Sequence, residues 1–309
     1  MSRPLPSSTP RSGHVALVGR PNVGKSTLMN AIVGQPLAIV SPQPQTTRQA
    51  VHGVLTADGA QYVFIDTPGV HAPRSRLGQW MNDVARQAAH DADAIVLVVE
   101  AAGIGARPNF ETELGLAAEL PDVPTVLVLS KVDRVKDKSQ LLPVIAAFAE
   151  AHPFAATVPL SAKRNDGIDQ LLAELLPLLP EQALLFEPDT LSDQPERFFV
   201  SELVREQVLL HTRQEVPHGV AVVVERFDES VKPPRIEVVI HVAREAHTKI
   251  LVGTGGRMVK SIGTAARARI ERMLGGKIHL ELSVRATPDW MNSEARLREM
   301  GYGPRAGDD

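Results

Sequence analysis

The chain of 309 residues contains no cysteine. That absence excludes a disulfide framework, cysteine-ligated zinc and thiol catalysis. Nor is there an apolar run near the ~18 residues that a membrane-spanning helix needs; the longest, such as Ala94–Val99, have strand length. The segment Met1 to Gly13 is rich in serine and proline and lacks the apolar stretch of a secretory signal. A cytoplasmic protein is therefore expected, with residues 1–12 as a flexible tail. An excess of one charge is missing too, the formal net charge being only −3. The distribution says more than the sum. Residues 181–195 carry four acidic and no basic side chains, whereas Arg244 to Lys277 carries eight basic and two acidic ones. A local surplus of that kind attracts phosphate, although it is equally the solvated face of a helix.

What is present is an ordinary globular composition, 43% apolar, in a chain long enough for two domains. Over residues 13–180, short aliphatic runs (Val15–Val18, Tyr62–Ile65, Ala94–Val99, Thr125–Leu129, Thr157–Leu160) alternate with helical stretches near Ser26–Val33, Leu77–Ala89, Phe110–Leu120, Gln140–Ala151 and Ile168–Leu176. This alternation predicts an α/β, doubly wound, mostly parallel sheet with helices on both faces. Pro177, Pro180, Pro188 and Pro195 punctuate an acidic stretch read as a linker over 181–195. Then the order becomes helix, two strands, two helices and a strand, which predicts a smaller α+β domain over 196–288 and a tail over 289–309.

Gly19-Arg20-Pro21-Asn22-Val23-Gly24-Lys25-Ser26-Thr27 follows a strand and opens a helix, the setting of a P-loop. Its glycines let backbone N–H groups wrap a polyphosphate, Lys25 supplies a charge for the β- and γ-phosphates, and Ser26 is placed for Mg²⁺. Asp66-Thr67-Pro68-Gly69 ends a later strand, where Asp66 can hold the Mg²⁺ shell through water and Gly69 can meet the γ-phosphate. Ser130-Lys131-Val132-Asp133 ends another. A carboxylate at Asp133 accepts from guanine's ring N–H and amino group, and adenine cannot satisfy it. Ser161-Ala162-Lys163 adds a further strand-end contact to the guanine carbonyl.

On these motifs residues 13–180 resemble the translation-factor-like GTPases and specifically the Era family, which shares the P-loop wording, a Gln45-Thr46-Thr47-Arg48 switch segment, Asp-Thr-Pro-Gly and the Ser-Ala-Lys motif. The resemblance implies a Mg²⁺-dependent GTPase binding GTP and GDP. One of Thr46 and Thr47 is then expected on Mg²⁺, with Thr47 the choice. Lys25, Thr47 and Gly69 form the catalytic set, and Val70 stands where many GTPases place a water-orienting glutamine. Asn22 is implied as the residue that admits an activating K⁺; as a residue type it is equally a turn former. One position departs from the pattern. The guanine motif normally begins with asparagine, and Ser130 is expected to keep part of its tie to the P-loop and to weaken nucleotide affinity.

Gly253-Thr254-Gly255-Gly256 between two helices is a GXXG turn, a form that a helix C-cap also produces. The next helix carries Val259, Ile262, Ala266, Ile270 and Met273 on one stripe, with Arg257, Lys260, Arg267 and Arg272 away from it. This resembles a type II KH domain, as found in the Era family after its G domain. The likeness continues through Ser201-Glu202, Arg205-Glu206, Glu215-Val216-Pro217 and a tail with Trp290 and Leu297–Tyr302. It implies RNA contacts at Gly253, Thr254, Gly255, Gly256, Arg257, Lys260 and Arg267. The expected partners are the 3′ region of small-subunit ribosomal RNA and the small subunit itself, in whose assembly the family acts. Peripheral contact with the inner face of the membrane is also implied by the family, and no DNA partner is expected.

Overall fold

The computed structural model describes residues 10–41, 43, 45–103, 110–213 and 216–303. Glu215, the first nine residues and those after Gly303 lie outside them. The chain divides into two compact units, one of Met1–Ala38, Thr47–His71 and Asp83–Asp193, the other of Ile39–Thr46, Ala72–Asn82 and Gln194–Asp309.

The first unit is built on a six-stranded sheet of order β2-β3-β1-β4-β5-β6. Strands β1 (Arg11–Val18), β3 (Ala60–Asp66), β4 (Ala94–Glu100), β5 (Thr125–Ser130) and β6 (Ala156–Pro159) run parallel, and β2 (Val51–Ala57) is antiparallel to β3. Central strands covered on both faces need apolar residues at every position rather than alternate ones, and Ala94–Val99 is buried throughout. Helices α1 (Lys25–Val33), α3 (Phe110–Ala118), α4 (Leu141–Ala151) and α5 (Ile168–Leu175) supply the cover, with the part of α2 (Arg76–Asp91) from Asp83 onward. One core cluster sets Phe148 of α4 against Leu97, Leu127 and Leu129, with Phe110 and Phe154 edge-on to its ring.

Two expectations about the ends of this unit change. Arg11 and Ser12 are strand residues rather than tail. The Arg11 guanidinium bonds Leu179 O at 2.6 Å and Glu181 at 2.5 Å, and Ser12 Oγ donates to Ala183 O. The acidic 181–193 stretch is likewise held. Gln61, buried in β3, accepts from the N–H groups of Leu185 and Phe186 and donates to Phe186 O. Farther along, Val54 N–H donates to Leu191 O, and His52 meets Asp193 at 2.8 Å. Residues 191–193 thus engage β2, an edge strand, at His52 and Val54, where an open edge would invite another strand. Absence of periodicity reads as a linker, but a strap along a sheet edge has no period either.

In the second unit a three-stranded sheet joins β7 (Val220–Asp228) antiparallel to β8 (Arg235–Val242), and β8 parallel to β9 (His279–Ala286). Helices α6 (Glu196–His211), α7 (Glu245–Val252) and α8 (Arg257–Leu274) pack on one face, giving the expected αββααβ order. The stripe on α8 holds at Ile262, Ala266 and Ile270, all fully buried. It fails at its ends: Met273 is 38% exposed and Val259 half-buried, while Met258 and Leu274 pack on the core instead. Steps of four residues drift by about 40° each, so the buried line winds around the helix as it follows a twisted sheet. A second cluster gathers Leu77 and Met81 of α2 with Trp290, Leu297, Met300 and Tyr302, where α9 (Glu294–Glu299) closes the described chain. Among the described residues no helix is long and apolar enough to cross a membrane.

Candidate functional site

The nucleotide motifs collect at the C-terminal ends of the parallel strands, where open α/β sheets place their ligand crevice. Residues 19–24 form the loop between β1 and α1, left-handed at Asn22 (φ 64°) and Gly24 (φ 110°). Lys25, Ser26 and Thr27 make the first turn of α1. Asp66 ends β3, and Thr67 Oγ1 anchors the following loop by donating to Leu17 O at 2.7 Å. Gly69 lies so close to Pro21 that a Cβ there would sit 2.5 Å from its nitrogen, so only glycine lets the two loops meet. Val70 N–H donates to Gly19 O, and the Val70 side chain packs toward the core.

Lys25 is buried, its Nζ 2.9 Å from Gly19 O and 3.0 Å from Arg20 O. Burial pulls its pKa down to about 8, against a smaller opposing attraction from Asp66. An anionic phosphate beside it favours the charged form.

Three oxygens converge at the mouth of the P-loop. Ser26 Oγ donates to Asp66 Oδ2 at 2.6 Å and lies 2.9 Å from Thr47 Oγ1, which reaches Asp66 Oδ2 at 3.1 Å. Hard oxygen donors of this kind fit Mg²⁺, which keeps several waters and shares its shell with phosphates. Thr46 is turned elsewhere, its hydroxyl donating to Gln43 O at 2.5 Å. Of the two threonines the structure therefore brings Thr47 to the candidate metal ligands.

At the guanine end, Val132–Arg134 is a single 3-10 turn after β5 and Ala162–Arg164 another after β6. Ser161 Oγ donates to Asp133 Oδ1 at 2.7 Å. That bond, with lesser help from Arg164 and Arg134, holds the Asp133 carboxyl below the usual carboxylate range and keeps it an acceptor. Ser130 Oγ donates to Val23 O at 2.6 Å, and Lys131 Nζ to Asn22 O at 2.7 Å. Lys163 is exposed at the rim. The motifs did not reveal Glu100, which ends β4 and pairs with Lys131 at 2.8 Å. Its only signal was an acid closing an otherwise apolar run beside the other strand ends.

The GXXG turn lies in the second unit. Gly253, Gly255 and Gly256 all have positive φ, and at Gly253 a Cβ would press on Met258 at 2.8 Å. Thr254, Arg257, Lys260, Arg267 and Arg272 are exposed there, whereas Arg269 is drawn into an ion pair with Glu206.

The model of the 50S ribosome-binding GTPase family matches residues 14–131, and the KH-domain model matches residues 215–290. The chain is 43% identical over 295 residues to GTPase Era of Ruminiclostridium cellulolyticum, covering 94% of this chain and 97% of that one. To GTPase Era of Xanthomonas oryzae pv. oryzae (strain MAFF 311018) it is 44% identical over 300 residues, covering 96% and 98%. A solved structure of Era with MgGDPNP and nucleotides 1506–1542 of 16S ribosomal RNA superposes with a TM-score of 0.89 at 36% identity, covering 95% and 99%. Aquifex aeolicus Era bound to GDP and AlF4⁻ gives 0.88 at 35% identity, covering 95% and 100%. Likeness of this degree, over nearly the whole of every chain compared, means that this chain belongs to the Era family of GTPases.

Proposed function

We propose that the chain is a cytoplasmic GTP-driven switch that binds small-subunit ribosomal RNA near its 3′ end and acts in assembly of the small ribosomal subunit. The observation that carries this reading is the pairing, in one chain, of a guanine-reading edge with a GXXG turn that opens a basic helix. The RNA is suggested by the related Era structure that holds 16S nucleotides.

In this reading Asp133 accepts from guanine, with Ser161 and the backbone at Ala162 beside it. Residues 19–24 and Lys25 would cradle the phosphates, while Ser26, Thr47 and, through water, Asp66 would hold Mg²⁺. When bound, Mg²⁺ offsets charge on the β- and γ-phosphates. Contacts with the γ-phosphate would order the segments around Thr46–Thr47 and Gly69–Val70, and hydrolysis would release them. Val70 has no hydrogen-bonding side chain to orient water, which favours a slow intrinsic rate. Asn22 is suited to admit K⁺ beside the phosphates. K⁺ should then stimulate hydrolysis where Na⁺ at equal ionic strength does not, and Asn22→Ala should abolish the difference; equal rates in the two salts reject the K⁺ role.

In the second unit, Gly253–Gly256 lets an RNA backbone approach while Arg257, Lys260 and Arg267 attract its phosphates. The test titrates a 3′-terminal fragment of 16S ribosomal RNA onto the full chain with a GTP analogue. Thr254→Asp with Gly255→Asp should abolish binding and leave RNA-independent hydrolysis intact. Both sites are exposed and nothing lies near Gly255, but its φ of 61° strains any side chain, so far-UV circular dichroism must first show the double variant folded. Unchanged RNA affinity in a folded variant would remove the turn from RNA recognition.

A further inference from the structure

Glu100 ends β4 directly beside Ser130, its register partner at the end of β5. Its carboxylate is divided between two cations of the turn that follows β5. Oε2 lies 2.8 Å from Lys131 Nζ, and Oε1 lies 3.3 Å from Arg134 Nη1. Lys131 and Arg134 bracket Asp133 in the chain. Lys131 also spends one ammonium proton on the P-loop, donating to Asn22 O at 2.7 Å. Its backbone is left-handed, with φ 57°. A lysine holds that conformation only where surrounding contacts impose it.

The two ion pairs differ in weight. Glu100 is 20% exposed and Lys131 29%, so theirs is a largely shielded, charge-assisted bond. Arg134 is 62% exposed, and its share is screened by solvent. Removing the Glu100 charge would leave the Lys131 ammonium with the Asn22 carbonyl, a neutral acceptor, at the end of a flexible four-carbon stem.

We propose that Glu100 is a positioning residue for guanine recognition. It fixes Lys131 between the P-loop and β4, and so holds the turn that presents Asp133 to the base. Glu100 itself lies behind this turn and acts through Lys131. The inference rests on the reading of Asp133 as the guanine acceptor.

The test compares Glu100→Gln, which keeps the shape and removes the charge, with the unaltered full chain. Dissociation constants for GDP and GTP should rise together by about three- to tenfold. The hydrolysis rate at saturating GTP and the unfolding midpoint of nucleotide-free protein should not change. Arg134→Gln, which removes only the outer partner, should cost less than about twofold. Asp133→Asn is measured alongside with guanosine and xanthosine nucleotides. If that variant fails to exchange guanine for xanthine preference, the assignment of Asp133 falls and the proposal with it. If it does exchange them, three results still overturn the role of Glu100: unchanged dissociation constants in Glu100→Gln, a lower rate at saturation, or a loss of nucleotide-free stability that matches the loss of affinity.

Discussion

The hydroxyl of Ser130 donates to the backbone carbonyl of Val23 at 2.6 Å, joining the end of β5 to the P-loop. Serine was expected to keep only part of this tie, and it keeps the part that reaches the loop. Ser130→Ala should therefore weaken GDP binding by about 1 kcal/mol, or roughly fivefold, the usual net worth of one hydrogen bond. Ser130→Asn should tighten it by less than ~1 kcal/mol, because an existing bond is replaced rather than a missing one added. Titration with a fluorescent GDP analogue reads both. An unchanged dissociation constant in Ser130→Ala would mean that the serine contributes nothing, and a gain of tenfold or more in Ser130→Asn that asparagine adds more than it replaces.

In the proposed reading of the site, Ser161 would act on the base through a partner. Its Oγ holds Asp133 Oδ1 at 2.7 Å and is the first cause of that carboxyl's lowered pKa. Ser161→Ala should let Asp133 rotate and weaken GTP binding by ~0.5–1.5 kcal/mol, while guanine stays preferred over adenine because the acceptor itself remains. Competition between GTP and ATP checks this. Loss of the preference would give Ser161 a direct part in reading the base.

How much of this was legible in the sequence follows from the distance over which each signal acts. The P-loop, Asp66 and Asp133 announce themselves because chemistry demands fixed residue types at strand ends, and strand ends are visible as breaks in apolar runs. The α8 core was legible at Ile262, Ala266 and Ile270, where the helical period is strict, and failed at Val259 and Met273, where sheet twist decides. β2 escaped notice because His52, Gly53 and Thr56 interrupt its pattern, and it is an edge strand with fewer apolar positions to show. Neither the anchoring role of Gln61 nor the place of Glu100 at the site was legible. Their partners lie more than a hundred and about thirty residues away respectively, and a single sequence carries no mark of such pairings.

Trp290 is fully buried among Leu77, Met81, Leu297 and Met300, stacks on Tyr302, and donates its Nε1–H to Gly219 O at 3.1 Å. Trp290→Ala should destabilise the second unit by about 3–5 kcal/mol through the cavity it leaves. Trp290→Phe fills most of that space and removes one of two bonds at the Gly219 carbonyl, which still accepts from Ala243 N–H, at a cost of about 0.5–1.5 kcal/mol. Denaturant unfolding followed by far-UV circular dichroism measures each. Equal losses in the two variants would mean that the hydrogen bond, rather than packing, dominates.

His241 is buried in β8, with Nδ1 2.9 Å from Thr287 Oγ1. Burial first and Arg285 second hold its pKa below the ordinary histidine value, while Glu225 and Glu299 pull weakly the other way. The unfolded chain thus binds this proton more readily than the native one. The contribution of neutral His241 to stability is full above about pH 6.5 and is lost as pH falls from there through the lower native value. Between pH 7 and pH 5 the native protein should lose more stability than His241→Gln, which cannot charge. Parallel pH dependences would show that other groups set the acid limb.

The parallel strands of the first unit bury their bodies and lend only their C-terminal ends to ligand chemistry. Evolution, or an engineer, can therefore turn two dials separately. Volume-conserving exchanges along Ala94–Val99 or Val126–Leu129 change how firmly the sheet resists heat. If Glu100 and Ser130 act as proposed, exchanges one residue farther on, at either of them, would change how long a nucleotide stays. A variant selected for thermal robustness need not surrender its switching rate, and one selected for a faster switch need not melt.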